Sequence, residues 1–200
     1  MSILFKISYG LYMCSSEFDG KHNGCIINTT MQQTAVPETV SITINKDNYT
    51  TELIKKSGKF AVTILDTSTK FDTIKHFGMQ RGESIDKFNG VETITTKSGL
   101  KVLKNNSQGY LVVNVKNTID MGTHYLFVGE IAESEVFESK NEPLTYAYYH
   151  ANVKPKPQAK ANDGEEKWIC KICGYVHNGP LPSDFICPLC KHGVVDFYKA

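Results

Sequence analysis

Residues 40–66, VSITINKDNYTTELIKKSGKFAVTILD, decide how the chain is read. Apolar and polar residues alternate over 39–47, the period of a half-buried strand. The period then changes. Thr50 is placed to cap a short helix whose apolar face is Leu53 and Ile54, and Gly58 stops it. FAVTILD, with its β-branched residues, is a strand again. The mouth of the helix collects Asn45, Lys46, Asn48, Thr50 and Thr51. Free backbone N–H groups there favour an anion, and Lys46 with the hydroxyls would complete a phosphate cradle. An ordinary strand–turn–helix cap accounts for the same letters.

The flanks extend the strand pattern. ILFKISYGLYMCSS reads as a strand that enters a turn at EFDGKHNG, and CIINTTMQQTA reads as a second strand. TKFDTIKHFG reads as another short helix closed by Gly78. LKVLKN, GYLVVNVKNTIDM and HYLFVGEIAESEVFE supply further strands. Six or more short strands with two small helices predict a mainly β fold, a barrel with short helical insertions. Tyr146, Tyr148, Tyr149 and His150 are expected as aromatic core on the last strand.

Composition changes after residue 150. ANVKPKPQAKANDGEE (151–166) has no apolar periodicity and reads as a flexible linker between a domain of residues 1–150 and a small domain of residues 167–200. So small a unit needs a metal, disulfides or a partner to hold its shape.

The small domain holds four of the six cysteines, as Cys170-x-x-Cys173 and Cys187-x-x-Cys190. Two residues between ligands let a tight turn aim both sulfurs at one ion, and two such turns complete a tetrahedron. Zinc and iron both accept four thiolates. His177 and His192 lie nearby, but four thiolates fill the shell, so both read as solvated loop residues. Cys14 and Cys25, in the larger domain, read as thiols packed in the core. No disulfide between them is expected in a reducing compartment.

Net charge is +1 and Arg81 is the only arginine, so neither nucleic acid nor an anionic membrane is an expected partner. No apolar run reaches the ~18–20 residues of a membrane span, and the first residues do not form a secretory signal. A cytoplasmic location is the expectation. There is no G-x-G-x-x-G and no Walker loop, which leaves a Rossmann-type cofactor site unsupported.

WICKICGYVHNGPLPSDFICPLC (168–190) resembles a rubredoxin, through Cys-x-x-Cys-Gly-Tyr, Leu-Pro-x-Asp-Phe and Cys-Pro-x-Cys. That resemblance implies one iron in the four thiolates, with zinc as the alternative, shielded by Trp168, Tyr175, Phe185 and Phe197. The order GLYMCSS, DGKHNGCIINTTMQQTAVP, VSITINKDNYTTELIKKSGKFAVTILD, HFG, DKFNG, GTHYLFVGEI resembles the flavin reductase-like, FMN-binding split-barrel proteins over most of residues 3–146. The two parts together are similar to the high-molecular-weight rubredoxins of anaerobes.

The resemblance implies a homodimeric electron-transfer protein. NADH or NADPH would deliver hydride to FMN, and single electrons would pass to the iron and on to a redox protein such as a flavodiiron oxygen or nitric oxide reductase. It places Asn28, Thr29, Met31 and Gln32 along the flavin, Asn45, Lys46, Asn48 and Thr50 at its phosphate, and His124 near the flavin and nicotinamide as a polar contact. A free flavin or ferric reductase with an incidental tail, or a non-catalytic zinc-ribbon protein, are the alternatives.

Overall fold

The computed structural model describes residues 3–155, 166–171, 174–188 and 193–199. It divides into two units, Met1–Val153 and Lys154–Ala200.

The first unit is built on β1 (Tyr12–Phe18), β2 (Lys21–Ile27), β3 (Met31–Ala35), β4 (Glu38–Asn45), α1 (Tyr49–Ser57), β5 (Lys59–Leu65) and α2 (Phe71–Gly78). It continues through β6 (Thr93–Thr95), β7 (Lys101–Leu103), β8 (Ser107–Asp120) and β9 (His124–Val136). Strands β6 and β7 form their own hairpin. The other seven form one antiparallel sheet in the order β2-β1-β5-β8-β9-β4-β3.

The outermost strands, β2 and β3, are consecutive in sequence and joined by residues 28–30 alone. Laid flat, seven strands would separate those edges by about 29 Å, at about 4.8 Å per strand. The connection spans about 14 Å at most. The sheet must therefore curl into a barrel, left unpaired where its edges meet. Packing agrees. Cys25 and Ile27 of β2 share one buried cluster with Val40, Ile42 and Ile44 of β4, together with Ile54 of α1, Phe60, Val62, Val113 and Phe127. Residues from opposite ends of the sheet meet only across the inside of a curl.

Strands β1 and β5 run through the middle of the sheet and are buried over four successive residues. Their second face packs Met13 and Leu65 against Ile74 and Phe77 of α2, Phe88, Leu144 and Tyr149. Both faces are thus covered, which is why FAVTILD carries apolar residues nearly without a break.

Four local expectations change. Residues Ile3–Lys6 form a 3-10 turn, and the first strand begins only at Tyr12. The stretch read as one strand from Cys25 to Ala35 is two, because residues 28–30 cross from one edge of the sheet to the other. The cap of α1 is Asn48, whose Oδ1 accepts from Thr50 N at 3.0 Å. Thr50 itself is buried within the first turn. Tyr146–Tyr148 is a helical turn (α3) that continues through Tyr149–Val153, so Tyr149 and Tyr146 reach the second cluster from helical backbone while Tyr148 is exposed, and Val153 still belongs to this unit.

In the second unit, β10 (Lys167–Cys170) is flanked by β11 (Val176–Asn178) and β12 (Phe197–Lys199). Of the stretch read as a linker, residues 156–165 lie outside the described residues. Among the described residues no helix is long and apolar enough to cross a membrane.

Candidate functional site

Strand β4 ends at Asn45, where the chain must turn sharply into α1. The Asn45 carbonyl accepts from Asn48 N at 3.1 Å and from Thr51 Oγ1 at 2.7 Å, and its Oδ1 accepts from Asp47 N at 2.8 Å. Polar residues are needed here because each satisfies backbone groups that strand and helix both leave open. Thr50 supports the turn from beneath. It is fully buried, and its Oγ1 accepts from Asn23 Nδ2 at 2.9 Å.

Pairing of β4 with β9 sets Asn45 opposite His124. His124 Nδ1 shares a 2.8 Å hydrogen bond with Thr123 Oγ1. Lys46 donates from its backbone to Thr123 O at 3.0 Å, and from Nζ to Asp120 Oδ1 at 2.5 Å. Its ammonium lies 4.7 Å from the centre of the Tyr125 ring, and that of Lys55 lies 4.5 Å from the same ring. The hydrogen bond from Lys46, followed by that from Gly122 N, holds the Asp120 carboxyl below its usual range. Two cations thus gather at the Tyr125 ring, Lys46 from the turn before α1 and Lys55 from its last turn, and Lys46 is already engaged by a carboxylate that an incoming anion would displace.

The 28–30 connection reaches the same end of the barrel. Thr29 Oγ1 donates to Thr43 O at 2.7 Å and accepts from Thr43 N at 3.1 Å, which fixes the connection to β4 two residues before Asn45. Asn28 beside it is half-buried. Thr30 Oγ1 is buried without a hydrogen-bond partner among the described residues. A buried hydroxyl left so costs free energy unless something completes it, which fits a bound polar group at this point. Met31 and Gln32 stand apart from this gathering, along β3, paired with Ser41 and Val40 and exposed. Of the sequence-predicted residues the structure therefore assembles Asn28, Thr29, Asn45, Lys46, Asn48 and His124 at one end, with Thr50 beneath. Sequence reasoning missed Thr30, Tyr125, Lys55 and Asp120. Only Thr30 carried a signal, as one more polar residue in NTTMQQ.

In the second unit Cys170 and Cys187 are buried, at 1% and 0% exposure, in one cluster with Phe197; Trp168, Tyr175, Leu181 and Phe185 pack around them. Cys170 N donates to Tyr175 O at 2.8 Å and Gly174 N returns to Cys170 O at 2.9 Å. That tight loop needs Gly174 at φ +78°, where a side chain would be strained. Soft sulfur donors presented by such a turn inside an aromatic jacket suit a thiophilic ion. Cys173, Cys190 and His192 lie outside the described residues. His177 Nε2 shares a 3.2 Å hydrogen bond with Pro180 O, and its ring lies 4.5 Å from that of Phe185.

Comparison with known proteins gives two family matches. The flavin reductase like domain matches residues 4–154, and the rubrerythrin, rubredoxin-like domain matches residues 168–197. The chain is 31% identical to the high molecular weight rubredoxin of Moorella thermoacetica, over 95% of each chain. It is 40% identical to the ferric-chelate reductase (NAD(P)H) of Archaeoglobus fulgidus, over 76% of this chain and 89% of that one. Among solved structures, the flavin reductase PheA2 in its native state superposes with a TM-score of 0.59 at 25% identity, covering 72% of this chain and 92% of that one.

Proposed function

The chain belongs to the flavin reductase-like family, joined to a rubredoxin-like domain as in the high molecular weight rubredoxins, and from that premise we propose how its residues divide the work. It is an NAD(P)H-dependent flavin oxidoreductase that transfers electrons through a flavin and a rubredoxin centre. FMN accepts an electron pair as hydride and can release electrons singly, and iron in four thiolates carries one at a time.

Asn45, Lys46 and the capped first turn of α1 hold the FMN phosphate, with Lys46 exchanging Asp120 for it. Thr50 keeps that turn in place from within. Asn28, Thr29 and the buried Thr30 hydroxyl take polar edges of the flavin, while Met31 and Gln32 flank it from β3. His124, beside Asn45, makes a polar contact that orients the nicotinamide; hydride transfer depends on geometry more than on an acid. In the second unit Cys170 and Cys187, with Cys173 and Cys190, ligate the iron. One observation carries this assignment: the orphaned Thr30 hydroxyl, the Asn45–Lys46 turn and His124 converge on one end of the barrel.

The five residues of β3 are all exposed on the edge of the sheet, and Met31 is 60% exposed. A bare edge strand invites cover, which supports a homodimer with β3 at its interface. A redox protein of the flavodiiron type is the proposed acceptor. The test is anaerobic addition of NADH or NADPH to the chain loaded with FMN and iron. Both the flavin and the iron absorption bands should bleach, and an iron band that stays oxidised beside a reduced flavin would refute the scheme. The ferric-chelate reductase match favours a second reading, in which ferric chelates accept electrons from the barrel directly. It expects undiminished chelate reduction after removal of residues 154–200.

A further inference from the structure

The β1–β2 hairpin turns on Asp19 and Gly20, both at positive φ (55° and 73°), and its register sets Cys14 directly opposite Cys25. Directly opposed residues on antiparallel strands share a face, with Cα atoms about 4.5 or 5.5 Å apart according to their place in the ladder. Either separation lies within the ~4.4–6.8 Å that a disulfide bridges. Both residues are buried, at 0% and 2% exposure, and neither is in a disulfide. The register turns the two side chains to one face of the hairpin, inside one buried cluster.

The surroundings are those of a reactive pair. Cys25 packs in one cluster with Ile54 of α1, and Asn23, two residues earlier on β2, donates from Nδ2 to Thr50 Oγ1 in the first turn of α1 at 2.9 Å. Lys87, 2% exposed, donates from Nζ to Gly24 O at 2.9 Å and to Phe77 O at 2.8 Å. Among the described residues it has no ion pair with a carboxylate. A buried ammonium calls for an anion, and Cys25, next in the chain to Gly24, is a group beside it that can become one. The neighbouring Cys14 lowers the Cys25 thiol below its ordinary range, and Thr50, Lys87 and Asn48 add to this against the effect of burial. Burial, then the neighbouring Cys25, raises Cys14. Of the two, Cys25 is the readier to lose its proton, the asymmetry that disulfide formation uses.

We propose that Cys14 and Cys25 form a reversible oxidation site, closed by hydrogen peroxide to a cross-strand disulfide that weakens FMN retention. The coupling rests on the reading of Asn45–Thr50 as the phosphate cradle. The Cys25 thiolate attacks one peroxide oxygen, giving a sulfenic acid and hydroxide. The Cys14 sulfur then attacks Cys25 Sγ as its proton leaves and the sulfenic oxygen departs as water. Two thiols give up two electrons and two protons, and the peroxide becomes two waters. Peroxide is small enough to reach a site closed to larger oxidants. The disulfide draws β2 and β1 together at Cys25, beside the Asn23–Thr50 hydrogen bond and the packing of β2 on Ile54. Thr50 lies in the first turn of α1, so the cradle loses support on its buried side.

The full-length protein, loaded with iron and oxidised FMN, is treated with equimolar peroxide, digested and mapped, and its FMN affinity is read by flavin fluorescence. A linked peptide containing Cys14 and Cys25, with FMN dissociation weakened about tenfold or more and restored by dithiothreitol, supports the proposal. Absence of the linked peptide, or its presence with FMN affinity unchanged, overturns it. The Cys14→Ala variant should bind FMN like the parent and not release it on treatment, while release by that variant also overturns the proposal. Should the variant fail to fold, reversal by dithiothreitol in the unaltered protein decides alone. Asn48→Ala separates the two readings. Weakened FMN binding by this variant, beside an oxidised parent that retains FMN, leaves the cradle standing and removes the switch; parental FMN affinity in this variant removes the cradle and the coupling with it, whatever the mapped peptides show.

Discussion

The two units hold their shape by different means. The first unit buries three apolar clusters, within the barrel and under its helices, and Phe60, Phe77 and Phe127 are buried to 0–1% exposure. The second unit buries Cys170, Cys187 and Phe197 with only partly covered aromatics around them. At ~1.5–3 kcal/mol for each large side chain fully withdrawn from water, the barrel has ample driving force without its cofactor. The small unit has little apart from what its metal supplies. A barrel can therefore wait for its flavin, whereas the C-terminal unit and its ion form together.

The largest effect should follow from removing the metal. Trp168 is the chain's one tryptophan and lies in the second unit, so its fluorescence reports on that unit alone. Stripping the metal under denaturing conditions and refolding with chelator should leave Trp168 with the emission of a solvated indole, while the far-ultraviolet β signal of the barrel returns. Native-like Trp168 emission without metal would break the contrast. Next in size, Phe127→Ala should cost the barrel about 3–5 kcal/mol in urea unfolding and leave the Trp168 signal unmoved; loss of both signals together would show one cooperative unit where two are described.

The smallest effect concerns pH. Burial raises the Asp66 carboxyl, but hydrogen bonds from Ser68, Ser139 and Asn141 outweigh it and hold the group below its usual range. Its contribution to stability is complete above the ordinary aspartate range and disappears as pH falls through the lowered value. Asp66→Asn should flatten the acid side of the barrel's stability profile and leave that of the second unit unchanged. An acid limb of unaltered slope would assign that limb to other carboxylates.

Much of the fold could be read because period and burial are local. β4, α1, β5 and α2 fell where alternation, β-branched residues and closing glycines placed them. The 28–30 crossing was hidden because polar residues inside NTTMQQ look like the outer face of a strand, and only the sheet order reveals that the chain changes edges there. Asn48 was overlooked as the cap because Thr50 offers the same chemistry two residues later. The cysteine spacing announced a metal site directly. The Cys14–Cys25 pair could have been found too: an Asp-Gly pair read as a two-residue hairpin turn fixes the whole register between them. Lys87 and Asp120 gave no local signal, because their significance lies in neighbours 63 and 74 residues away.

The brevity of the segment between β2 and β3 has a mechanical corollary. Hydrogen bonds zip the sheet along its width, but among the described residues no strand pairing fastens its two rims; a tether of three amino acids does so instead. Splicing a few glycines into it would slacken the hoop, letting both rims spread and pulling Thr30 away from the Asn45–Lys46 turn while every ladder stayed intact. Curvature, and with it the spacing of the groups proposed to grip the flavin, is thus a matter of leash length.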